Sequence, residues 1–140
     1  KAKTKLSRLH YKIRCIRQDS LHQITTKLIN DFDVLAIEDL NVKGMVKNRR
    51  LSRAISDLGF FEFKRQLIYK ANEQGKVVKS VGRFYPSSKT CSNCNHILGK
   101  DELTLKIREW ICPACQVSHN RDLNASINIL NNATVILTAA

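Results

Sequence analysis

The chain has 140 residues, 24 Lys+Arg against 12 Asp+Glu, and a formal charge of +12. A hydrophobic share of 43% beside 26% charged residues is the make-up of a globular protein, too apolar for disorder, and the length fits one domain or a domain with a small module. No stretch approaches the ~20 apolar residues of a membrane span, and the basic start KAKTKLSRLHYKIRC lacks a signal peptide's apolar core, so the expectation is a cytoplasmic protein with no membrane partner.

The positive charge is unevenly placed. Residues 1–39 carry 8 basic and 5 acidic side chains, with 7 of those 8 in the first 17 positions. Residues 40–90 carry 12 basic and 3 acidic, and residues 91–140 carry 4 of each. A basic surface attracts polyanions, of which nucleic acid is the commonest in a cell. The field therefore belongs to the first two thirds of the chain. The Cys-rich remainder is neutral before any metal binds. Met45 is the sole methionine, so Lys1 is not an initiator and the sequence reads as a processed chain or a piece of a longer one.

Residues 4–29 place Leu6, Leu9, Ile13, Ile16, Leu21, Ile24 and Leu28 at steps mostly of three and four, the helix period. That predicts one helix, or two joined near Gln18–Ser20, with a basic outer face. Cys15 lies in this apolar neighbourhood and reads as a small core residue. Val34–Ile37 is a short apolar run bounded by Asp31, Asp33 and Asp39, which predicts a buried strand ending at Glu38. Residues 41–53, NVKGMVKNRRLSR, have no period and predict an exposed basic loop. A second helix is expected over roughly Ser52–Asn72, with Ile55, Leu58, Phe61, Leu67, Ile68 and Ala71 for its buried side and Gly75 as its stop. Phe60, Phe61 and Phe63 read as core more readily than as a base-stacking platform. Lys76–Val81 predicts a second strand. Helix, strand, helix, strand argues for α/β units with parallel strands. Tyr85-Pro86-Ser87-Ser88 breaks the pattern. His119–Asn132 predicts a third helix with Leu123, Ile127 and Leu130 as its apolar stripe. Two strands are too few to cover three helices, so further strands are expected, either missed here or lying outside the chain.

Cys91-Ser-Asn-Cys94 and Cys112-Pro-Ala-Cys115 are two CxxC pairs with 17 residues between them. Two pairs ~15–20 residues apart have a zinc-site spacing. Each pair places two thiolates where one ion can take both, and a hairpin between them closes a tetrahedral four-sulfur site. Residues 97–111 supply such a hairpin, with Leu103, Leu105, Ile107 and Trp110 on its apolar side. A disulfide framework is disfavoured in a cytosolic-looking chain. With Cys91, Cys94, Cys112 and Cys115 as ligands the site is full, so Zn²⁺ here is structural and removing it should unfold the module. His96 and His119 flank the module, and four cysteines make them unnecessary as ligands.

Two acids stand at element ends. Glu38 closes a strand, a position that often faces a site. Asp122 sits in the first turn of the last helix, where its ordinary role is to complement the helix dipole. Alternation turns Asp39 to the other sheet face, which leaves it a turn or cap contact. In a basic protein, converging acids suggest a divalent metal. Two Mg²⁺ ions held by carboxylates about 4 Å apart can activate water and stabilise the leaving oxygen of a phosphodiester.

VLAIEDL, then FYPSSKTCSNCN, then CPACQVSHNRDLNASINIL, together resemble the C-terminal half of the TnpB/OrfB transposon-associated proteins, relatives of the type V CRISPR effector nucleases. The resemblance runs from the first helix to about residue 130. It implies a ribonuclease H-like (RuvC-type) α/β nuclease domain with a zinc ribbon inserted before its last helix. It also implies three acids binding two Mg²⁺: an Asp on the first strand, a Glu after the fourth, and an Asp on the final helix. Glu38 within IEDL and Asp122 within RDLNAS match the second and third. The first strands and the first Asp lie upstream of the region matched here. The expected organisation is a partial RuvC-like segment over 1–86, a zinc ribbon over 87–118, and the final RuvC-like helix with a tail over 119–140. Asn120 stands where many members have an acid.

The resemblance implies DNA as substrate, guided by RNA, in an intact protein linked to transposition. This piece, with one metal-binding acid missing, is expected to be inactive alone. The alternative is a non-catalytic zinc-ribbon module that binds nucleic acid. In either case Lys43, Lys47, Arg49, Arg50 and Arg53 are the candidate phosphate contacts. Arg121 could join them or pair with an acid.

Overall fold

The computed structural model describes residues 1–99, 102–104 and 106–138. The elements in chain order are α1 (Ala2–Asp31), β1 (Val34–Glu38), α2 (Val42–Val46), α3 (Ser52–Leu58), α4 (Phe60–Glu73), β2 (Val77–Val81), β3 (Glu109–Ile111), β4 (Ser118–Asn120) and α5 (Arg121–Thr138). The chain forms two compact units, one of Lys1–Val34 with Asn41–Val78 and one of Leu35–Leu40 with Lys79–Ala140. Among the described residues no helix is long and apolar enough to cross a membrane.

The first unit is built on α1 against α4. α1 is one continuous helix, with no break at Gln18–Ser20. Its first twenty residues are exposed, and burial sets in at Leu21, Thr25 and Ile29. Cys15 is therefore exposed rather than a core residue. Leu6, Leu9, Ile13 and Ile16 are exposed with it.

The α1–α4 contact combines apolar Ile29, Leu67 and Ala71 with a fully buried polar pair. Thr25 Oγ1 donates to Gln66 Oε1 at 2.9 Å. Gln66 Nε2 donates to Glu62 Oε1 at 3.0 Å, and Lys70 Nζ reaches Thr25 Oγ1 at 2.8 Å and Thr26 Oγ1 at 2.7 Å. The Arg65 guanidinium, and after it the Gln66 amide, hold the Glu62 carboxyl down at about 2. A buried polar atom without a partner costs ~1–3 kcal/mol, so this seam selects one helix register. A hydrophobic period cannot reveal it.

Two helical expectations change. The predicted Ser52–Asn72 helix is broken into α3 and α4 at Gly59, whose φ of +62° ends α3 in the left-handed region. Glycine alone takes that conformation without strain. The expected loop at 41–53 contains α2, capped by Asn41, whose side chain accepts from the Gly44 N–H at 3.0 Å. Ile55, Leu67 and Ala71 are buried as expected, but Leu58, Phe61 and Ile68 are exposed. Phe61, at 75% exposure, is no core residue.

β1 and β2 lie side by side. The Val77 N–H donates to Asp33 O at one end and the Asp39 N–H to Val81 O at the other, each at 3.0 Å. Both strands advance together, so the pair is parallel, as the element order predicts. β1 is half-buried, not buried, with Val34 and Glu38 exposed. A parallel strand is normally covered on both faces, and a two-stranded sheet cannot provide that.

Among the described residues of the second unit, no strand pairing within 97–111 is found to match the expected hairpin. The described ladder instead joins β3 to β4 across the second CxxC, pairing Trp110 with His119. A single Thr90–Ile97 bridge spans the first CxxC. Leu103 and Trp110 are buried with Cys91, Leu98 and Cys112, and Ile107 packs against them. The apolar side was legible, but these residues do not lie on one long strand. Leu105 lies outside the described residues.

β4 occupies Ser118–Asn120, so α5 begins at Arg121 rather than His119. Asn120 Oδ1 accepts from the N–H groups of Asp122 and Leu123 at 3.1 and 3.2 Å. It is a helix N-cap, a role asparagine fills as well as an acid does. The expected stripe of Leu123, Ile127 and Leu130 is 62%, 40% and 47% exposed. The buried face carries Asn124, Asn128 and Ala133 instead. Asn128 Nδ2 donates to Ser87 O at 2.8 Å and Thr90 O at 2.6 Å, and Asn124 Nδ2 to Thr90 O at 2.7 Å. Asn124 Oδ1 accepts from the Ser92 N–H at 2.9 Å. Asn128→Ala removes both of its donor bonds and leaves a buried void. We expect it to lower unfolding stability of the second unit by ~1–3 kcal/mol, measured by urea denaturation followed through Trp110.

Candidate functional site

The four cysteines converge. One Sγ from each of Cys91, Cys94, Cys112 and Cys115 lies within 4.8 Å of the other three. The Cys91–Cys115 and Cys94–Cys112 sulfurs are each 3.6 Å apart, and all four thiols are free. A tetrahedral ion with Zn–S bonds of ~2.3 Å needs sulfurs about 3.8 Å apart. The donor set is soft, complete and correctly spaced for a metal such as zinc. It leaves no open position for catalysis.

Both CxxC turns are built alike. Cys91 N donates to His96 O, and Cys112 N to Val117 O, at 2.8 and 2.9 Å. Asn95 N and Gln116 N return to Cys91 O and Cys112 O, each at 2.9 Å. Asn95 and Gln116 take φ near +60°, the non-glycine residues with positive φ among those described. Holding Gln116 in that region costs of order 1 kcal/mol, and the closed turn compensates for it. The turn also tunes the thiols. The Val117 N–H, then the Asn93 side chain, draw Cys115 down to about 6. Cys94 is pushed up to about 12: the His96 backbone hydrogen bond opposes this, and burial with the neighbouring thiols outweighs it. Four sulfurs this close cannot all ionise without a cation among them.

His119 is closer to the centre than its dispensability as a ligand suggests. Its Nε2 lies 3.1 Å from Cys91 Sγ, and its ring meets Trp110 at 4.7 Å between centroids. Sequence reasoning had a signal for this contact. β3 and β4 flank the second CxxC, which sets Trp110 opposite His119.

The candidate acids lie in the same unit. Glu38 ends β1 as an exposed carboxylate, without a hydrogen-bond or ion-pair partner among the described residues. Asp39 pairs with Arg83, Nη2 to Oδ2, at 3.2 Å. That contact ties the end of β1 to the segment after β2. Asp122 stands in the first turn of α5, 69% exposed, with Arg108 Nη1 at 3.1 Å and Arg121 Nε at 3.5 Å. Both acids are hard oxygen donors open to solvent, as Mg²⁺ requires of protein ligands that share it with water and phosphate.

The cations divide. Lys43, Lys47, Arg49, Arg50 and Arg53 are all exposed on the α2–α3 segment of the first unit. Arg121 turns inward, its side chain 14% exposed, and donates to Thr104 O and Ile107 O at 3.4 and 3.3 Å. It presents far less surface to phosphate than the other five.

Comparison with known proteins covers almost all of the chain. A family described as "Cas12f1-like, TNB domain" matches residues 60–129, and one described as "Probable transposase" matches residues 1–49. A Streptomyces pristinaespiralis protein named "Putative RNA-guided DNA endonuclease" is 42% identical over 93% of this chain. The TnpB-like protein L79 of Acanthamoeba polyphaga mimivirus is 34% identical over 93% of it. The chain spans only 32% and 26% of these two relatives. A chain of the cryo-EM Cas12f1–sgRNA–target DNA complex superposes with a TM-score of 0.69, at 20% identity, over 93% of this chain and 37% of that one.

Proposed function

The chain belongs to the TnpB/OrfB family and carries its Cas12f1-like TNB domain, and on that premise we propose that it is the C-terminal part of an RNA-guided, Mg²⁺-dependent DNA endonuclease. The observation that supports this reading is the family match over almost the whole chain, which includes the segments that hold Glu38 and Asp122. Within one compact unit, two solvent-open carboxylates stand at a strand's carboxyl end and a helix's first turn. The fold is read as a partial RuvC-like domain over 1–86 and 119–140, with a zinc ribbon over 87–118.

In this reading Glu38 and Asp122 hold Mg²⁺ with a third acid from outside the chain. Bound there, Mg²⁺ would supply activation of a water and stabilisation of the leaving oxygen of the phosphodiester. Glu38 has no side-chain partner among the described residues, whereas Asp122 is paired with Arg108 and Arg121. Zn²⁺ on the four cysteines fixes the turns that Asn124 and Asn128 clamp, and so supports the helix that carries Asp122. DNA and guide RNA are the partners.

The test is a Mg²⁺-dependent assay of the chain alone on single- and double-stranded DNA. The expected result is no cleavage, because two acids do not complete the centre. Robust cutting abolished by Glu38→Ala would refute the claim that this portion is inactive by itself.

A second reading, a non-catalytic nucleic-acid-binding module, is favoured by the five exposed cations on the α2–α3 segment. Log K should then fall with log salt, and Arg49→Ala with Arg50→Ala should reduce the slope by about 2 on duplex DNA. An affinity flat from low to moderate salt would exclude phosphate contact by this surface.

A further inference from the structure

We propose that His119 is a positioning residue of the four-cysteine metal centre, its Nε2–H donating a hydrogen bond to the Cys91 thiolate. Cys91 is fully buried and His119 nearly so. Their Nε2···Sγ separation of 3.1 Å is short for a donor to sulfur. Four thiolates around one Zn²⁺ leave the centre with an excess of two negative charges. Such charge in an apolar setting is stabilised by N–H donors directed at sulfur. The backbone N–H of Cys91 is engaged with His96 O and is not directed at the metal's sulfurs. His119 supplies a donor from the facing strand.

The imidazole is held for this task. β3–β4 pairing sets Trp110 opposite His119, and the rings stack at an interplanar angle of 35°. This fixes the ring with Nε2 toward Cys91. The bond joins the first CxxC turn to β4, the strand that runs directly into α5. Zinc retention by the ribbon therefore depends on a residue three positions before Asp122. The inference needs only the metal centre and is independent of the nuclease reading.

The experiment uses the whole zinc-loaded chain. H119F keeps a stacking ring and removes the donor, and H119Q keeps a donor near the Nε2 position. In competition with a colorimetric chelator, H119F should bind zinc ~10-fold or more weakly, with H119Q recovering most of that loss. Co²⁺ loading of both the parent chain and H119F should give a four-thiolate absorption spectrum. On the parent chain itself, ¹⁵N NMR of the imidazole should find the proton on Nε2. Equal zinc affinity in H119F and the parent would overturn the proposal. So would a cobalt spectrum showing nitrogen ligation in the parent, or an Nε2 without its proton. If H119F fails to load metal at all, the NMR result on the parent chain decides.

Discussion

Stripping the metal from the four-cysteine module is expected to unfold it while leaving the α1–α4 pair helical. The module's core is Cys91, Leu98, Leu103, Trp110 and Cys112, with Ile107 and Cys115 packed against it. Three of those seven are cysteines of the four-thiol cluster. Its described strands are three residues long. So few buried side chains cannot offset the ordering entropy of this segment unaided, which is why small modules depend on metal. A structural zinc site contributes roughly 10–16 kcal/mol of apparent binding free energy, all of it lost from folding when the ion leaves. Trp110, the sole tryptophan, is 8% exposed and reports the change directly. EDTA should shift its emission to the red, and Cys112→Ser should do so without chelator. Far-UV circular dichroism should keep most of its helical signal, because α1 and α4 bury Ile29, Leu67 and Gln66 independently of the cysteines. The effect has a pH sign. Protons compete with zinc for all four sulfurs, so zinc retention should weaken as pH falls.

In a protein that combines this chain with a third metal-binding acid, Glu38→Ala and Asp122→Ala should each lower DNA cleavage by at least about a hundred-fold. Removing one charged group that stabilises a transition state costs on that order. Neither substitution should unfold the protein. Glu38 is exposed and unpartnered among the described residues, and substitutions at such sites stay within about 0.5 kcal/mol. Asp122 gives up an exposed pair with Arg108, worth about 1 kcal/mol at most, and a longer contact with the inward-turned Arg121. It also gives up a favourable charge at a helix N-terminus, of similar size. Thermal denaturation should therefore move little while cleavage is lost. A parallel fall in both would mark the acids as structural.

The parts of this fold legible in the sequence are those set by short-range rules. The run Val34–Ile37, bounded by aspartates, signals a strand, and the CxxC spacing signals a four-thiol site. The misplaced parts were decided by long-range or polar contacts. Leu123, Ile127 and Leu130 have a faultless helical period, yet α5 turns Asn124 and Asn128 inward. Those two amides satisfy carbonyls of the Ser87–Thr90 turn, and hydrophobic patterning assigns no weight to amides. Gly59 was swallowed by the apolar period on either side of it. The β3–β4 ladder is set by where the second CxxC folds back, so the alternation over 97–111 pointed to the wrong partner. Glu38 and Asp122 were found at element ends, and their pairing as metal ligands came from resemblance. Four cysteines complete a coordination sphere without His119, and a ligand count says nothing about what hydrogen-bonds to the ligands.

The most direct measurement is RNA-guided cleavage of plasmid DNA in Mg²⁺ by the Streptomyces pristinaespiralis relative, carrying this chain in place of its own matching segment. The graft should cut, and Glu38→Ala within it should not. A folded, zinc-loaded graft that fails to cut, or one that cuts equally well with Glu38→Ala, would contradict the assignment of this chain as part of a metal-dependent nuclease.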